Sequence, residues 1–211
     1  MKVEFVTVGP FQENSYLVSD ETTRRGVLID PGDEASRIIR MVRLADVTVE
    51  AIWLTHAHID HIGAVAEVTR LFKVPVFLHD ADLVLYRRAA QHAAFYGLSF
   101  DQPSDPDRSL SDGDVLSVGA ERFTVRHTPG HSPGHVVFVH EKSLIGGDLL
   151  FAGSIGRTDL PFSSPDAMEA SLALVASFDP DLTVYPGHGP PTSIGTELAT
   201  NPFLAGARTS L

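Results

Sequence analysis

Residues Val3 to Val8 alternate between apolar and polar side chains, the period-two signature of a strand with one buried face. With residues 15–18 they predict a hairpin, joined through Gly9-Pro10-Phe11-Gln12-Glu13-Asn14. The next apolar segments do not alternate. Gly26-Val27-Leu28-Ile29-Asp30, residues 52–55 and Pro75-Val76-Phe77-Leu78 are short continuous runs, as expected of strands buried on both faces. Pro31-Gly32 stops the first of them. Between them the period lengthens: Asp33 is expected to cap a helix carrying Ile38, Ile39 and Val42, and a second helix runs from Ile62 through Phe72. An alanine-rich helical stretch spans Asp80 to about Phe100, before the proline-broken loop 101–107. Strands return at 115–118, 123–126, 135–140 and 143–145, followed by a helix over 165–178 and a last strand at 182–185.

Two batches of strands with helices interspersed predict an α+β protein of two mixed sheets packed together under helices. No internal repeat or heptad is evident. The 101–107 loop is too short to mark a domain boundary, so residues 1–211 read as one domain with one substantial core.

The strand ends carry the candidate chemistry. Thr55-His56-Ala57-His58-Ile59-Asp60-His61 follows the second buried run and opens a helix, so its side chains can converge on one point. His56 and His58, two apart on extended chain, face the same side. Asp60 competes with a plainer role as a helix N-cap. A second cluster, His127-Thr128-Pro129-Gly130-His131-Ser132-Pro133-Gly134-His135, also leaves a strand through a rigid loop; spacing does not say which of its three histidines could bind a metal. Gly147-Asp148 and Gly187-His188-Gly189 end two further strands. Imidazole is the commonest metal ligand among side chains, and four strand ends each offering a ligand is what a metal site built by a fold requires.

Composition narrows this reading. Apolar content of 43% with 20% charged residues is ordinary for a globular protein, and no apolar run is long enough to span a bilayer. An N-terminus that reads as a strand, not a signal peptide, and the absence of cysteine predict a cytoplasmic protein. Zero cysteines also exclude thiolate ligands and a cysteine nucleophile. A net charge of −11 argues against nucleic acid as a partner, and is partly that of carboxylates awaiting cations.

Together, the heptad, Thr128-Pro129-Gly130-His131, Gly147-Asp148 and Gly187-His188-Gly189 resemble the metallo-β-lactamase-fold hydrolases, and most of all the glyoxalase II (hydroxyacylglutathione hydrolase) group in its compact bacterial branch. The likeness runs from Asn14-Ser15-Tyr16 to Asn201-Pro202-Phe203-Leu204. It implies a four-layer αββα sandwich with two divalent metals at one edge. By matching position, His56, His58 and His131 hold one ion, Asp60, His61 and His188 the other, and Asp148 bridges them; Asp30 supports the histidine loop. Zinc comes first, with iron or manganese as alternatives.

The activity implied is hydrolysis of a small-molecule thioester such as S-lactoylglutathione. Asp60 and Asp148 would serve a hydroxide shared by the metals, and Arg157 would contact substrate; Phe151 and Tyr96, as bulky aromatics, are candidates for the pocket wall or for plain core packing. Full-length members carry a basic C-terminal domain that holds glutathione. Here only 23 residues follow His188, with Arg208 their sole basic residue, which sets glutathione in question as the carrier. Alternatives are a persulfide dioxygenase using one iron on His56, His131 and Asp148, a lactonase, and a non-catalytic metal-binding protein. The dioxygenase group usually has cysteine where this chain has His135. A β-lactamase with a cysteine ligand is excluded, and a homo-oligomer is left open.

Overall fold

In the computed structural model, which describes residues 1–204, the runs without alternation are strands covered on both faces. β1 (Lys2–Val8), β2 (Glu13–Asp20), β3 (Arg25–Ile29), β4 (Thr48–Trp53), β5 (Val76–His79) and β6 (Arg108–Leu110) form one sheet in that order. The first three strands are antiparallel and the rest run parallel. The second sheet contains β7 (Val115–Val118), β8 (Glu121–His127), β9 (Val136–Val139), β10 (Ser143–Gly147), β13 (Thr183–Pro186) and β14 (Thr192–Ser193), ordered β14-β13-β10-β9-β8-β7. A small hairpin, β11 (Leu150–Phe151) with β12 (Ser154–Ile155), stands outside both.

Successive residues of the central strands serve different cores. Tyr16, Val18, Val27, Ile29, Ala51 and Trp53 face the second sheet and meet Phe123, Val125, Val136 and Phe138. Leu17, Leu28 and Ile52 point the other way, onto helices α1 (Ala35–Ala45), α3 (Val65–Phe72) and α5 (Ala89–Phe95). On the far side, Val137, Leu144 and Val184 pack under α6 (Pro165–Ala176) and α7 (Ile194–Thr200). Helix, sheet, sheet, helix is the expected αββα order. Among the described residues no helix is long and apolar enough to cross a membrane.

Local differences from the sequence reading have physical causes. Helix α1 begins one residue later than Asp33 predicts: Glu34 holds the N-cap position in a left-handed conformation, φ 45°, with no side-chain cap, while Asp33 Oδ1 accepts from the Glu34 N–H. Asp60 is not an N-cap either; His58 precedes the short α2 (Ile59–Ile62), and Asp60 lies in its first turn. The 80–100 stretch is a 3-10 turn followed by α4 (Leu83–Arg87) and α5. Strands β6, β11, β12 and β14 and helix α7 lie where the sequence pattern predicts no element. The basic residue Arg208 lies outside the described residues.

Candidate metal centre

Strands β3 and β4 are parallel, and so are β10 and β13. Strand β8 runs the same way as β10 because each is antiparallel to β9. The C-terminal ends of all five therefore meet at one edge of the sandwich, where the chain delivers Asp30, the heptad, the 127–135 loop, Asp148 and His188. Two glycines allow the closest approaches. Gly147 has φ 47°, and a Cβ there would strike Thr55 and His135; a Cβ on Gly187 would strike Asp148 and His61.

Two groups of ligand-type atoms result, each within 4.8 Å of one another: His56, His58 and His131, and Asp60, His61 and His188. Asp148 lies between them. Its Oδ1 is 3.4 Å from His61 Nε2, and its Oδ2 is 3.4 Å from His131 Nε2 and 3.5 Å from His188 Nε2. The structure thus gathers every residue that the resemblance assigns as a ligand. Asp30, His56 and His61 also cluster, but Asp30 already takes three hydrogen bonds from the residues around it. It accepts from the Thr55 N–H at 2.7 Å, from Thr55 Oγ1 at 2.5 Å and from His61 Nδ1 at 2.9 Å. That network orients the His56 and His61 rings.

The orientation is specific, atom by atom. Thr55 Oγ1 donates to Asp30, so His56 Nδ1–H donates to Thr55 Oγ1 at 3.0 Å and leaves Nε2 a bare acceptor. His61 Nε2 is freed likewise by Asp30. His131 Nδ1 donates to the Arg157 carbonyl at 2.8 Å, and its Nε2 faces His58 Nδ1 at 2.8 Å. His188 Nδ1 faces the Gln12 carbonyl at 3.3 Å. Buried His56 Nε2, His61 Nε2 and Asp148 Oδ1 have no hydrogen-bond partner. Orphaned acceptors of this kind are costly unless something electropositive sits among them.

The electrostatics make the same demand. Burial, then the neighbouring imidazoles, hold His56 well below the ordinary imidazole range; burial and His131 lower His58 to about 3. Burial opposes charging of His61 too, yet Asp148 and Asp60 override it and hold this ring well above its ordinary value. Against the same opposition from burial, hydrogen bonds to Asp148 and Asp60 raise His188 to about 9. Burial works against ionisation of Asp148 as well, but His61 and His188 keep it well below the carboxylate range. Two carboxylates here, buried Asp148 and half-buried Asp60, draw positive charge onto whatever lies between them. The donor set fits divalent cations.

The other histidines of the 127–135 loop are structural. His135 Nδ1 meets Thr128 Oγ1 at 2.9 Å and its Nε2 accepts from the Asp148 N–H at 3.0 Å. His127 bonds the Pro133 carbonyl and stacks on His79 at 4.2 Å. A cavity of about 330 Å³ opens over the two ligand groups. Phe11, His92, Tyr96, Phe151, Ile155 and Leu160 are among its walls. Arg157 borders it too, but its guanidinium is held by Asp159 at 2.6 and 2.8 Å, and its backbone carbonyl orients His131.

Sequence reasoning missed Asp82 and Glu13. Asp82 is fully buried and accepts from Ala57 N–H, Ser132 Oγ and Gly134 N–H. Glu13 is buried beside the second group, its Oε1 4.0 Å from His61 Nδ1, and burial pushes its carboxyl well above the ordinary range. Neither has a local sequence signal, since isolated acids in turns and strands are usually exposed.

Known proteins share this arrangement of sheets. The sequence profile of the metallo-beta-lactamase superfamily matches residues 8–188. Hydroxyacylglutathione hydrolase GloC of Haemophilus influenzae is 35% identical over 97% of this chain and 98% of its own length. Probable metallo-hydrolase YqgX of Bacillus subtilis is 38% identical over 98% and 99%. Among solved structures, TTHA1623 in a di-iron-bound form superposes with a TM-score of 0.89 at 46% identity, over 95% of this chain and 100% of that one. BLEG-1 B3 metallo-beta-lactamase gives 0.89 at 36% identity over 96% and 99%. ETHE1 from Myxococcus xanthus gives 0.82 at 27% identity over 98% and 85%. With a family match spanning most of its length and these relatives, the chain belongs to the metallo-beta-lactamase superfamily.

Proposed function

We propose that the protein is a dinuclear metal-dependent hydrolase of thioesters. The observation that carries this reading is the position of Asp148, whose two oxygens face the two ligand groups from between them. His56, His58 and His131 would hold one ion, Asp60, His61 and His188 the other, with Asp148 shared. Two divalent ions, when bound, acidify a shared water and polarise a carbonyl. Every other part of the work falls to the chain. Asp30 and Thr55 hold His61 and His56 with Nε2 lone pairs pointed inward, and the Arg157 carbonyl does the same for His131. Phe11, Tyr96, Phe151 and Leu160 exclude bulk water and present an apolar wall to the substrate. A thiolate leaves readily, with a pKa near ~8.5, so the site needs no dedicated acid for it. The likeness to GloC, a hydroxyacylglutathione hydrolase by name, supports the same reaction class.

The test joins metal analysis to turnover. Purified protein is expected to contain close to two divalent ions per chain and to release thiol from S-lactoylglutathione or a similar thioester. Asp148→Asn is expected to abolish turnover and to drop the metal content below that of the wild type. Full activity in that variant sinks the bridging role. Oxygen uptake with glutathione persulfide on a single iron, or faster cleavage of a β-lactam than of any thioester, overturns the thioesterase assignment.

A further inference from the structure

The cavity over the ligand groups continues sideways. At His58, His92 and Leu160 it joins a second hollow of about 240 Å³. This hollow lies between α4, α5 and the segment 160–162. Its walls are mostly apolar, with Leu85, Phe95, Pro161 and Phe162 prominent, and Arg88 and Gln91 add the polar edge. Phe95 is 92% exposed and Phe162 is 53% exposed. Single exposed apolar residues need no account, but two bulky rings lining a hollow that opens onto a reaction site mark surface that a ligand covers. Phe162 also holds a left-handed backbone, φ 71°, which costs about 1–2 kcal/mol in a residue with a Cβ.

Charge says what the ligand carries. The chain has a net charge of −11, so its overall field repels anions. Two arginines border the joined cavities. Arg157 is committed to Asp159 through two hydrogen bonds. Arg88 makes no ion pair with any of the described residues, whereas its neighbour Arg87 is turned onto Asp105 at 2.7 Å. A cation without a protein partner, set at the edge of an apolar hollow, matches a ligand that is greasy along its length and anionic at its end.

We infer that this hollow is a subsite for the part of the substrate remote from the reacting carbonyl, and that it takes an alkyl chain ending in a carboxylate or similar anion paired with Arg88. The inference rests on the thioesterase reading and specifies which thioesters are preferred. The anion can sit on the acyl group or on the thiol, and the experiment separates these.

Turnover is measured on two pairs of thioesters: a carboxylated or methyl-ended acyl group on one neutral thiol, and a neutral acyl group on a carboxylated or neutral thiol. The wild type is expected to prefer the carboxylated member of one pair, and that pair assigns the end. Arg88→Gln is expected to cut the preference by about three- to tenfold, through KM more than kcat, the scale of one partly exposed charge pair. Arg122→Gln, an exposed arginine on β8 remote from the hollow, leaves it intact. Phe95→Ser, at a position that packs into no core, is expected to weaken the gain in kcat/KM per added methylene. A binding arm needs no turnover: octanoate is expected to bind the metal-loaded wild type more tightly than Arg88→Gln by a similar factor, while octanol does not distinguish them.

If no thioester turns over but octanoate still distinguishes the two proteins, the subsite stands and the reaction class falls. If thioesters turn over and Arg88→Gln changes neither the preference nor octanoate binding, the subsite falls and the reaction class stands. A wild-type dimer at micromolar concentration that Phe95→Ser converts to monomer also overturns it, because a second copy then covers the hollow.

Discussion

Asp82 joins the two histidine loops that the sequence presents as separate motifs. Its Oδ2 accepts from the Ala57 N–H at 2.9 Å, between His56 and His58, and from Ser132 Oγ at 2.8 Å, next to His131. Its Oδ1 accepts from the Gly134 N–H at 2.5 Å. Burial raises its pKa against these three donors, so the side chain is held at a cost that the loops themselves offset. Asparagine can offer only one oxygen to three donors and turns an N–H₂ toward at least one of them. Asp82→Asn is therefore expected to lose roughly 2–4 kcal/mol in denaturant unfolding and to weaken metal retention by about 10- to 100-fold. Asp80→Asn, at an exposed neighbour, is the control. Metal affinity equal to wild type in Asp82→Asn would refute the link. At this scale the heptad was legible because its four ligand-type residues are adjacent in sequence. Asp82 was not, because its partners lie 25, 50 and 52 residues away.

At the scale of elements, the clearest departure is the 80–100 stretch, whose composition favours one continuous helix. The interruption has a visible cause in another element. Tyr86 C=O and Ala90 N–H are the i−4 and i partners that a helix would bond directly. The Gln102 amide takes both: Nε2 donates to Tyr86 O at 2.8 Å, and Oε1 accepts from Ala90 N–H at 3.0 Å. A side chain inserted into the ladder kinks a helix, and here it separates α4 from α5 at Arg88, where φ is −101°. The kink aims His92, Phe95 and Tyr96 at the cavities. Gln102→Ala is expected to cost roughly 1–2 kcal/mol and to speed hydrogen exchange in α5 while the sheets keep their protection. Unchanged exchange over Ala89–Phe95 would show that the kink is held by something else. Glutamine in a polar loop gives no sign of this task, since its partners lie 12 and 16 residues back. Strand β6 was hidden differently: Arg108-Ser109-Leu110 has one buried residue and owes its place to β5 alongside.

The whole molecule is two sheets held at both ends. At the site end, Tyr16 Oη donates to the Pro186 carbonyl at 2.6 Å and Asn14 Nδ2 to the Gly189 carbonyl at 2.8 Å, tying β2 to the His188 turn. Between the sheets Trp53 wedges against Phe123 and Phe138, with ring centroids at 5.5 and 5.3 Å. Sequence periodicity predicted two sheets but not how they face, because that depends on twist and volume across the interface. At the opposite end Asp20 closes the sandwich. Its Oδ2 accepts from the Ala120 N–H at 2.9 Å in the β7–β8 turn, and its Oδ1 from the Thr22 N–H at 2.8 Å. Those backbone donors lower the carboxyl from an ordinary 3.8 to about 2. The folded state therefore binds this proton less readily than the unfolded chain. The stabilisation is fully present above about pH 4 and is lost as pH falls through about 2. Asparagine mimics the protonated acid, so metal-free Asp20→Asn is expected to be less stable than metal-free wild type by a constant margin above about pH 5. That margin should close between about pH 4 and 2. Denaturant midpoints measured against pH on both proteins decide it. A margin that stays flat into acid, or widens, means that Asp20 does not clamp the two sheets through its charge.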